Sequence, residues 1–558
     1  MMPMRPFRFL LVFFCGLFFL LPSAAPGAVR PVGEAIREAI RQRLEAPGLP
    51  EALTICNVCL RSTPLLSEYY QQGLYEAAWI EEEGRPRAAA RELMAAIRSA
   101  AEEGLVPAHY HLAALQDLLR RAVVGKPSAV LAADLDILLT DAFLLLGSHL
   151  LDGRVDPVTI DRQWRVVRRE GDLLRTLREA LAGQGVAAAL QGLLPHQEGY
   201  RSLRTALARY RDLAHRGGWP GVPAGPSLRA GDEGGRVAAL RRRLAADGDP
   251  ARAAAQGDAF DGTLLEAVLE FQGRHGLEAD GVVGAKTLAA LNVPVSARVR
   301  QIELNMERWR WMPQNLGRRH VLVNTAAFHL DMVADDESVL SMRVVVGRPY
   351  RSTPDFSGSI TYLVLNPYWE IPPSIAVKDI LPQIRKDSGY LQRMGIRVFR
   401  GWGAEARAVD PATIDWGRLG PRSFPYRLRQ DPGPVNALGR IKFMFPNAHN
   451  VYLHDTPSRE LFLRETRSFS SGCIRLEKPM ELAALLLTDT PLDTVEALEE
   501  ARQGQISKTV RLPAPVPVHL VYWTAWAERD GTVRFRNDIY GRDSLLDLAL
   551  SMPPPATF

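Results

Sequence analysis

Asn450-Val451-Tyr452-Leu453-His454-Asp455-Thr456-Pro457, followed by Ser470-Ser471-Gly472-Cys473-Ile474-Arg475, sets a histidine at the end of a strand-like run and a cysteine 19 residues later. A free thiol is a modest nucleophile at neutral pH, but an adjacent imidazole can take its proton, and a thiolate–imidazolium pair attacks carbonyls readily. Small residues ahead of Cys473 let backbone approach a substrate, so the N–H groups of Gly472 and Cys473 are candidate donors to the oxyanion of a tetrahedral intermediate. Acyl transfer is the reaction class this pattern implies. Ending a strand holds His454 rigidly, while Asp455, Thr456 and Pro457 turn the chain away.

The surrounding sequence reads as a small β-rich domain with the cysteine on a loop. His320–Asn324, Ala327–Val333, Met342–Val346 and Ile360–Leu365 are short alternating segments broken by Gly347, Pro349 and Pro354, and Gly439–Asn447 continues the set. Pro479 opens a helix over Met480–Leu487. Between the strands lies an insert, Ile375 to Val435, preceded by Trp369 and Tyr368, which either line the cleft or pack beneath the sheet. The segment 510–545, with Trp523 and Trp526, is strand-like and is expected to pack onto this domain.

Upstream the pattern is helical. Arg87–Ala101 is rich in Ala, Arg, Glu and Leu, and Ala129–Leu151 is strongly apolar yet carries Asp134, Asp136 and Asp141. His109 and His111 flank Tyr110 without a third ligand in sequence reach, so a packing role is set against a metal site. A Pro/Gly-rich linker from Gly217 to Pro226 separates this scaffold, 29–220, from a compact unit, 227–293, in which Val237, Leu240 and Leu244 share one helical face and Leu264, Val268 and Phe271 another. A further helix, 296–316, carries Trp309 and Trp311 as anchors to a neighbouring domain.

At the N-terminus Arg5 and Arg8 precede an apolar run of 13 residues, Phe9 to Leu21, and then Ser23, Ala24, Ala25, Gly27 and Ala28. That run is short for a membrane span and suits a cleaved export signal over residues 1–28; an uncleaved anchor is the alternative. With 558 residues, 47% hydrophobic and 23% charged, the chain has room for about three domains and is neither disordered nor multi-spanning. Its net charge of +5, less the two signal arginines, gives no basic cluster suited to nucleic acid. Of its four cysteines Cys15 lies in the signal, and Cys56 and Cys59 are close enough to pair or to stay as two inert thiols, so Cys473 is the odd thiol.

Two resemblances rest on wording rather than spacing. Leu228-Arg229 with Gly231-Asp232, Ala267-Val268 with Phe271-Gln272, Gly276-Leu277 with Asp280-Gly281, and Gly284 with Thr287 resemble the peptidoglycan-binding domain of cell-wall enzymes; glycan binding and a purely architectural role both remain open. His454 with Ser470–Arg475 is similar to the catalytic signature of L,D-transpeptidases of the YkuD type, and Gly439–Asn447 with Tyr452–Pro457 resembles their multi-domain YcbB-type branch. Many relatives have histidine where Ser471 stands, which weakens any second imidazole but leaves His454 and Cys473 intact.

The expected fold is therefore multi-domain: an α-helical scaffold, a three-helix peptidoglycan-binding domain and a β-rich (α+β) catalytic domain over 319–500 with 375–435 as a lid. The resemblance implies that Cys473, deprotonated by His454, attacks a tetrapeptide stem, releases D-alanine and passes the acyl group from a thioester to an amine, giving a 3→3 cross-link. Exchange with D-amino acids, carboxypeptidase trimming and a catalytically weak binding scaffold are the alternatives. Gly472, Ser471 and Arg475 are the oxyanion and substrate candidates, with Arg475 equally readable as a structural ion pair; Tyr452, Trp369 and Tyr368 are cleft candidates. No cofactor or metal is implied. Stem peptides are the expected partners, other wall synthases are candidates, nucleic acid is not, and carbapenems are expected inhibitors in an exported, periplasmic setting. A papain-like hydrolase places its cysteine before its histidine, the reverse of the order here, and no H-E-x-x-H motif supports a metal-dependent amidase.

Overall fold

The computed structural model describes residues 31–45, 53–124, 127–161, 164, 168–247, 257–401 and 403–555. The expected export signal lies outside them. Among the described residues no helix is long and apolar enough to cross a membrane.

The N-terminal region wraps around the helix Ala129–Asp152, which is buried on every side. An all-round buried helix tolerates carboxylates only when they are bonded. Asp136 accepts from the Tyr70 hydroxyl at 2.5 Å and from the Ala78 and Trp79 amides at 3.0 and 2.7 Å. Asp141 takes the Ser62 amide at 2.7 Å and His111 Nε2 at 2.6 Å. His111 and Tyr110, whose hydroxyl meets His149 Nδ1 at 3.0 Å, are thus packing residues, and no cluster suited to a metal occurs among the described residues. A two-residue hairpin, β1 (Thr54–Ile55) and β2 (Val58–Cys59), interrupts the helices. Cys56 in its turn and Cys59 at the end of β2 are free thiols, Cys56 Sγ facing Asp134 Oδ2 at 3.7 Å and Cys59 Sγ the Leu60 carbonyl at 3.6 Å. Of the two alternatives, a local disulfide or two separate thiols, the structure has the second.

In the next unit the helices Gly235–Asp247, Gly262–Arg274 and Ala285–Leu291 bury Val237, Leu240, Leu244, Leu264, Val268 and Phe271 together. The glutamine of the Phe-Gln phrase is structural: Gln272 Nε2 donates to Asp280 Oδ1 at 2.8 Å and its Oε1 receives the Gly281 amide at 2.9 Å, pinning the Asp-Gly turn. The helix Val295–Arg310 then crosses the molecule. Trp309 at its end stacks on Trp523 with centroids 4.2 Å apart, and Trp311 meets Trp164 edge-on at 5.0 Å.

The C-terminal domain is built from β3 (Arg319–Asn324), β4 (His329–Ala334), β5 (Glu337–Gly347), β6 (Phe356–Leu365), β7 (Trp369–Ile371), β8 (Ile396–Arg400), β9 (Arg407–Val409), β10 (Tyr426–Gln430), β11 (Ile441–Met444), β12 (Leu453–His454), β13 (Ser468–Ser470), β14 (Ile474–Leu476) and β15 (Lys508–Val521). One sheet runs β13-β5-β14-β12-β11-β6-β15-β3-β4, and β4 also pairs with β5, so the sheet closes on itself and hides its edges. Alternating residues such as Val321, Val323, Leu330, Val344, Leu363, Phe443, Leu453 and Ile474 fill the interior.

Two expectations change here. The C-terminal segment does not pack onto a finished domain: β15 lies between β6 and β3 and supplies a central stave of the barrel, parallel to β3 and antiparallel to β6. The hairpin that comes after it, β16 (Ala525–Ala527) and β17 (Val533–Phe535), lies outside the barrel, in the core shared with the helix Glu198–His215. The insert is a folded layer of its own, with sheet order β7-β10-β8-β9 and a core of Ile371, Ile384, Leu391, Val398 and Leu428. That sheet begins at Trp369 rather than at Ile375.

Candidate active site

β12 pairs parallel with β14, His454 opposite Arg475 and Leu453 opposite Ile474, while on its other side Lys442 of β11 faces His454. The histidine and the strand that starts just after Cys473 are therefore neighbours by backbone register. His454 is buried, and its Nδ1 lies 2.5 Å from the Asp455 carbonyl. That contact makes Nδ1 the protonated nitrogen and leaves the Nε2 lone pair for a proton from elsewhere. Burial, with Arg475 and then Lys442 adding positive charge nearby, pushes the imidazole down to about 3, so it is neutral at physiological pH.

Asp455 is itself clamped. Its carboxylate accepts from the Arg440 amide and Nε, each at 2.9 Å, and meets Arg459 Nη1 at 3.4 Å. Gly439, at φ +63°, is where the chain passes so close that a Cβ would stand 2.5 Å from Asp455 Oδ2, so glycine is required on both conformational and steric grounds.

Cys473 is half-buried on the loop between β13 and β14, with Sγ 3.9 Å from the Asn450 carbonyl. Burial pushes its thiol up, while the backbone N–H and the hydroxyl of Tyr452, then Lys442 and Arg475, act in the opposite direction. At rest Cys473 is thus a thiol and His454 a neutral imidazole, rather than the ion pair expected from residue types. Tyr452 also receives a bond from Trp369, and Lys442 Nζ sits 3.8 Å from its ring centre. Trp369 is brought to the site in this way. Tyr368 instead lies under the Arg429 guanidinium, 4.4 Å from ring centre to carbon, on the insert.

The nucleophile loop is internally bonded: the Gly472 amide donates to Ser470 Oγ at 3.1 Å and Ser470 Oγ to the Cys473 carbonyl at 2.5 Å. Gly472 N–H is therefore engaged by Ser470 in this state, whereas among the described residues no acceptor takes the Cys473 N–H. Gly472 has φ +117°, a backbone state that side chains resist. Ser471 accepts from Arg351 Nη1 at 2.8 Å, and the same nitrogen meets Asp379 of the insert at 2.5 Å. Arg475 makes no ion pair among the described residues, and its Nε is buried without a partner. Burial and Arg348 lower the Arg475 pKa, while Cys473 and Glu460 oppose them, so the guanidinium stands close enough to the sulfur to be felt by it.

Lys442, Arg351 and Asp379 carry no signal of their own in the sequence motifs. Lys442 was accessible in principle, since strand periodicity places it on one face with its register partner; Arg351 and Asp379 meet only through the fold.

Comparison with known proteins finds three family matches along the chain. Residues 318–495 match the family described as the L,D-transpeptidase catalytic domain (YkuD), residues 233–291 the "Putative peptidoglycan binding domain" family, and residues 64–207 the "Scaffold domain" family. A Haemophilus influenzae protein named "Putative L,D-transpeptidase" is 36% identical over 255 residues, 45% of this chain and 49% of that protein, so the match spans about half of each. A solved structure of an L,D-transpeptidase (residues 123–326) from Xylanimonas cellulosilytica covers 54% of this chain and 99% of its own at 16% identity, with a TM-score of 0.17. The chain carries an L,D-transpeptidase catalytic domain together with a peptidoglycan-binding domain.

Proposed function

We propose that this protein is a cysteine L,D-transpeptidase that forms 3→3 cross-links between peptidoglycan stems through a thioester on Cys473. The observation that carries the reading is the fixed tautomer of His454, with its Nδ1 on the Asp455 carbonyl, on a strand paired with the one just after Cys473. His454 Nε2 takes the thiol proton as sulfur attacks the carbonyl carbon of the third residue of a donor tetrapeptide. The tetrahedral intermediate collapses, the peptide C–N bond breaks, and His454 returns the proton to the departing D-alanine amine. An acceptor amine then attacks the thioester, its proton passing through His454 to the sulfur as the thiol leaves.

A neutral base suits this cycle, because a base already protonated cannot accept the thiol proton. The Cys473 amide, Arg475 and Lys442 are the groups proposed to meet the oxyanion and the stem's carboxylates, with Tyr452 and Trp369 beside them. The insert is proposed as a lid that excludes water from the thioester. Enzymes of this family act on the wall outside the cytoplasm, and export through the N-terminal segment is part of the proposal. Intact-mass measurement after incubation with a tetrapeptide tests it: wild type should gain the tripeptide acyl mass with loss of D-alanine, and Cys473→Ala should not. Acylation or cross-linking by Cys473→Ala would overturn the assignment.

A further inference from the structure

Thr353 is fully buried between β5 and β6, and its hydroxyl joins two backbones. Oγ1 accepts the Gly347 amide at 3.0 Å and donates to the Gly472 carbonyl at 2.9 Å. The bonds around Ser470 close the nucleophile loop on itself, whereas this hydroxyl ties that loop to the end of β5. Tyr540 reinforces the tie, its hydroxyl donating to the Gly347 carbonyl at 2.7 Å.

Thr353 is in turn held from outside the barrel. Its carbonyl accepts from Arg542 Nη2 at 3.1 Å, and Arg542, also buried, reaches Asp355 Oδ1 with Nη1 at 3.0 Å and Asp161 Oδ2 with Nε at 3.5 Å. Trp164 donates its indole N–H to the other oxygen of Asp355. The Arg542 guanidinium lies 5.0–5.4 Å from the ring centres of Tyr540, Tyr522 and Trp164. Bonds therefore run without a gap from Asp161 and Trp164 of the N-terminal helical region to the residue before Cys473. A buried charged network of this kind is a poor way to gain stability, since apolar packing does as well, but a good way to specify one arrangement.

We propose that Thr353 is a positioning residue for the Cys473 thiol, and that the helical region holds it in register through Trp164, Asp355 and Arg542. The proposal rests on Cys473 being the nucleophile. Losing the Thr353 tie lets the loop move away from the two Tyr452 donors, so the thiol becomes harder to ionise without being removed.

The test uses the full-length chain with Cys15→Ser, Cys56→Ser and Cys59→Ser, so that Cys473 is the reporting thiol, and measures alkylation by iodoacetamide against pH. Thr353→Val keeps the shape and removes both hydrogen bonds, while Thr353→Ser keeps the hydroxyl. The expected result is a thiol pKa raised by about one unit and alkylation slowed about tenfold at pH 7 in the valine variant, with serine tracking wild type. Trp164→Phe, which loses only the indole donor, should move the profile the same way by a few-fold. A valine variant whose melting temperature falls while its alkylation profile matches wild type reduces Thr353 to a structural residue and overturns the proposal. A Trp164→Phe profile identical to wild type overturns the part assigned to the helical region. Should the valine variant not fold, Thr353→Ala gives the same comparison. Alkylation needs no wall substrate, so a wild type that alkylates normally yet never forms a thioester fails the proposed function and leaves this inference standing.

Discussion

Tyr452→Phe is the sharpest perturbation of the proposed nucleophile, because it deletes one donor and little else. The Tyr452 hydroxyl and backbone N–H both act on the Cys473 sulfur, and the substitution removes the first while the second, a backbone group next to β12, stays. The phenylalanine ring keeps the surface on which Lys442 Nζ sits at 3.8 Å, so that cation is not displaced. Trp369 loses its acceptor but is only half-buried, so water can replace it. A hydrogen bond to a charged group contributes about 1.5–3 kcal/mol, which corresponds to a rise of roughly one to two units in the thiol pKa. Thioester formation at pH 7 should therefore slow by about 10- to 100-fold, with the limiting rate recovering as pH rises. Stopped-flow or quenched intact-mass time courses at several pH values measure this. An unchanged rate and an unchanged pH profile would show that the hydroxyl does not stabilise the thiolate and would refute the electrostatic account of the site.

His454→Ala should lower the acylation rate by about 10²–10⁴, and in wild type the neutral imidazole predicts a flat acid limb. An ordinary histidine is only about 3% neutral at pH 5, whereas one held down to about 3 stays neutral there; acylation at pH 5 should then remain within a few-fold of its pH 7 value, and a roughly thirty-fold fall would contradict the burial argument. Ending the chain before Lys508 removes Leu512, Val516, Val518, Leu520 and Val521 from the interior. At about 1.5–3 kcal/mol each the loss is on the order of 10 kcal/mol, comparable to a domain's whole stability, so circular dichroism should show no cooperative melting of the barrel. A carbapenem should add its mass at Cys473, with peptide mapping as the readout; an adduct on Cys56 or Cys59, or one that survives Cys473→Ala, would mean the wrong thiol had been assigned.

Local pattern was enough for the elements that hold the candidate site residues. Alternation ending in Leu453-His454, glycine before Cys473 and proline at the start of the helix Pro479–Leu486 each express a short-range constraint, and strand, loop and helix form where those residues stand. The peptidoglycan-binding unit is legible for the same reason, since Gln272, Asp280 and Gly281 build a turn within a few residues of one another.

Features that depend on closing the barrel could not be read locally. β15 has the alternation of any strand, and nothing in its own residues says that it enters between β6 and β3, from which it is separated by more than a hundred positions. The resting charge of the catalytic pair has the same origin: a histidine and a cysteine suggest an ion pair by type, but burial beside Arg475 and Lys442 keeps His454 neutral and pushes the Cys473 thiol up. Thr353, Arg351 and Asp379 are ordinary polar residues in sequence, and they come to bear on the nucleophile loop only because the sheet curves until β4 pairs with β5. Sequence by itself determined which groups are the candidates for the chemistry, through short-range pattern; tertiary structure decided their protonation and their supports, because desolvation and long-range hydrogen bonds exist only once distant segments are packed together.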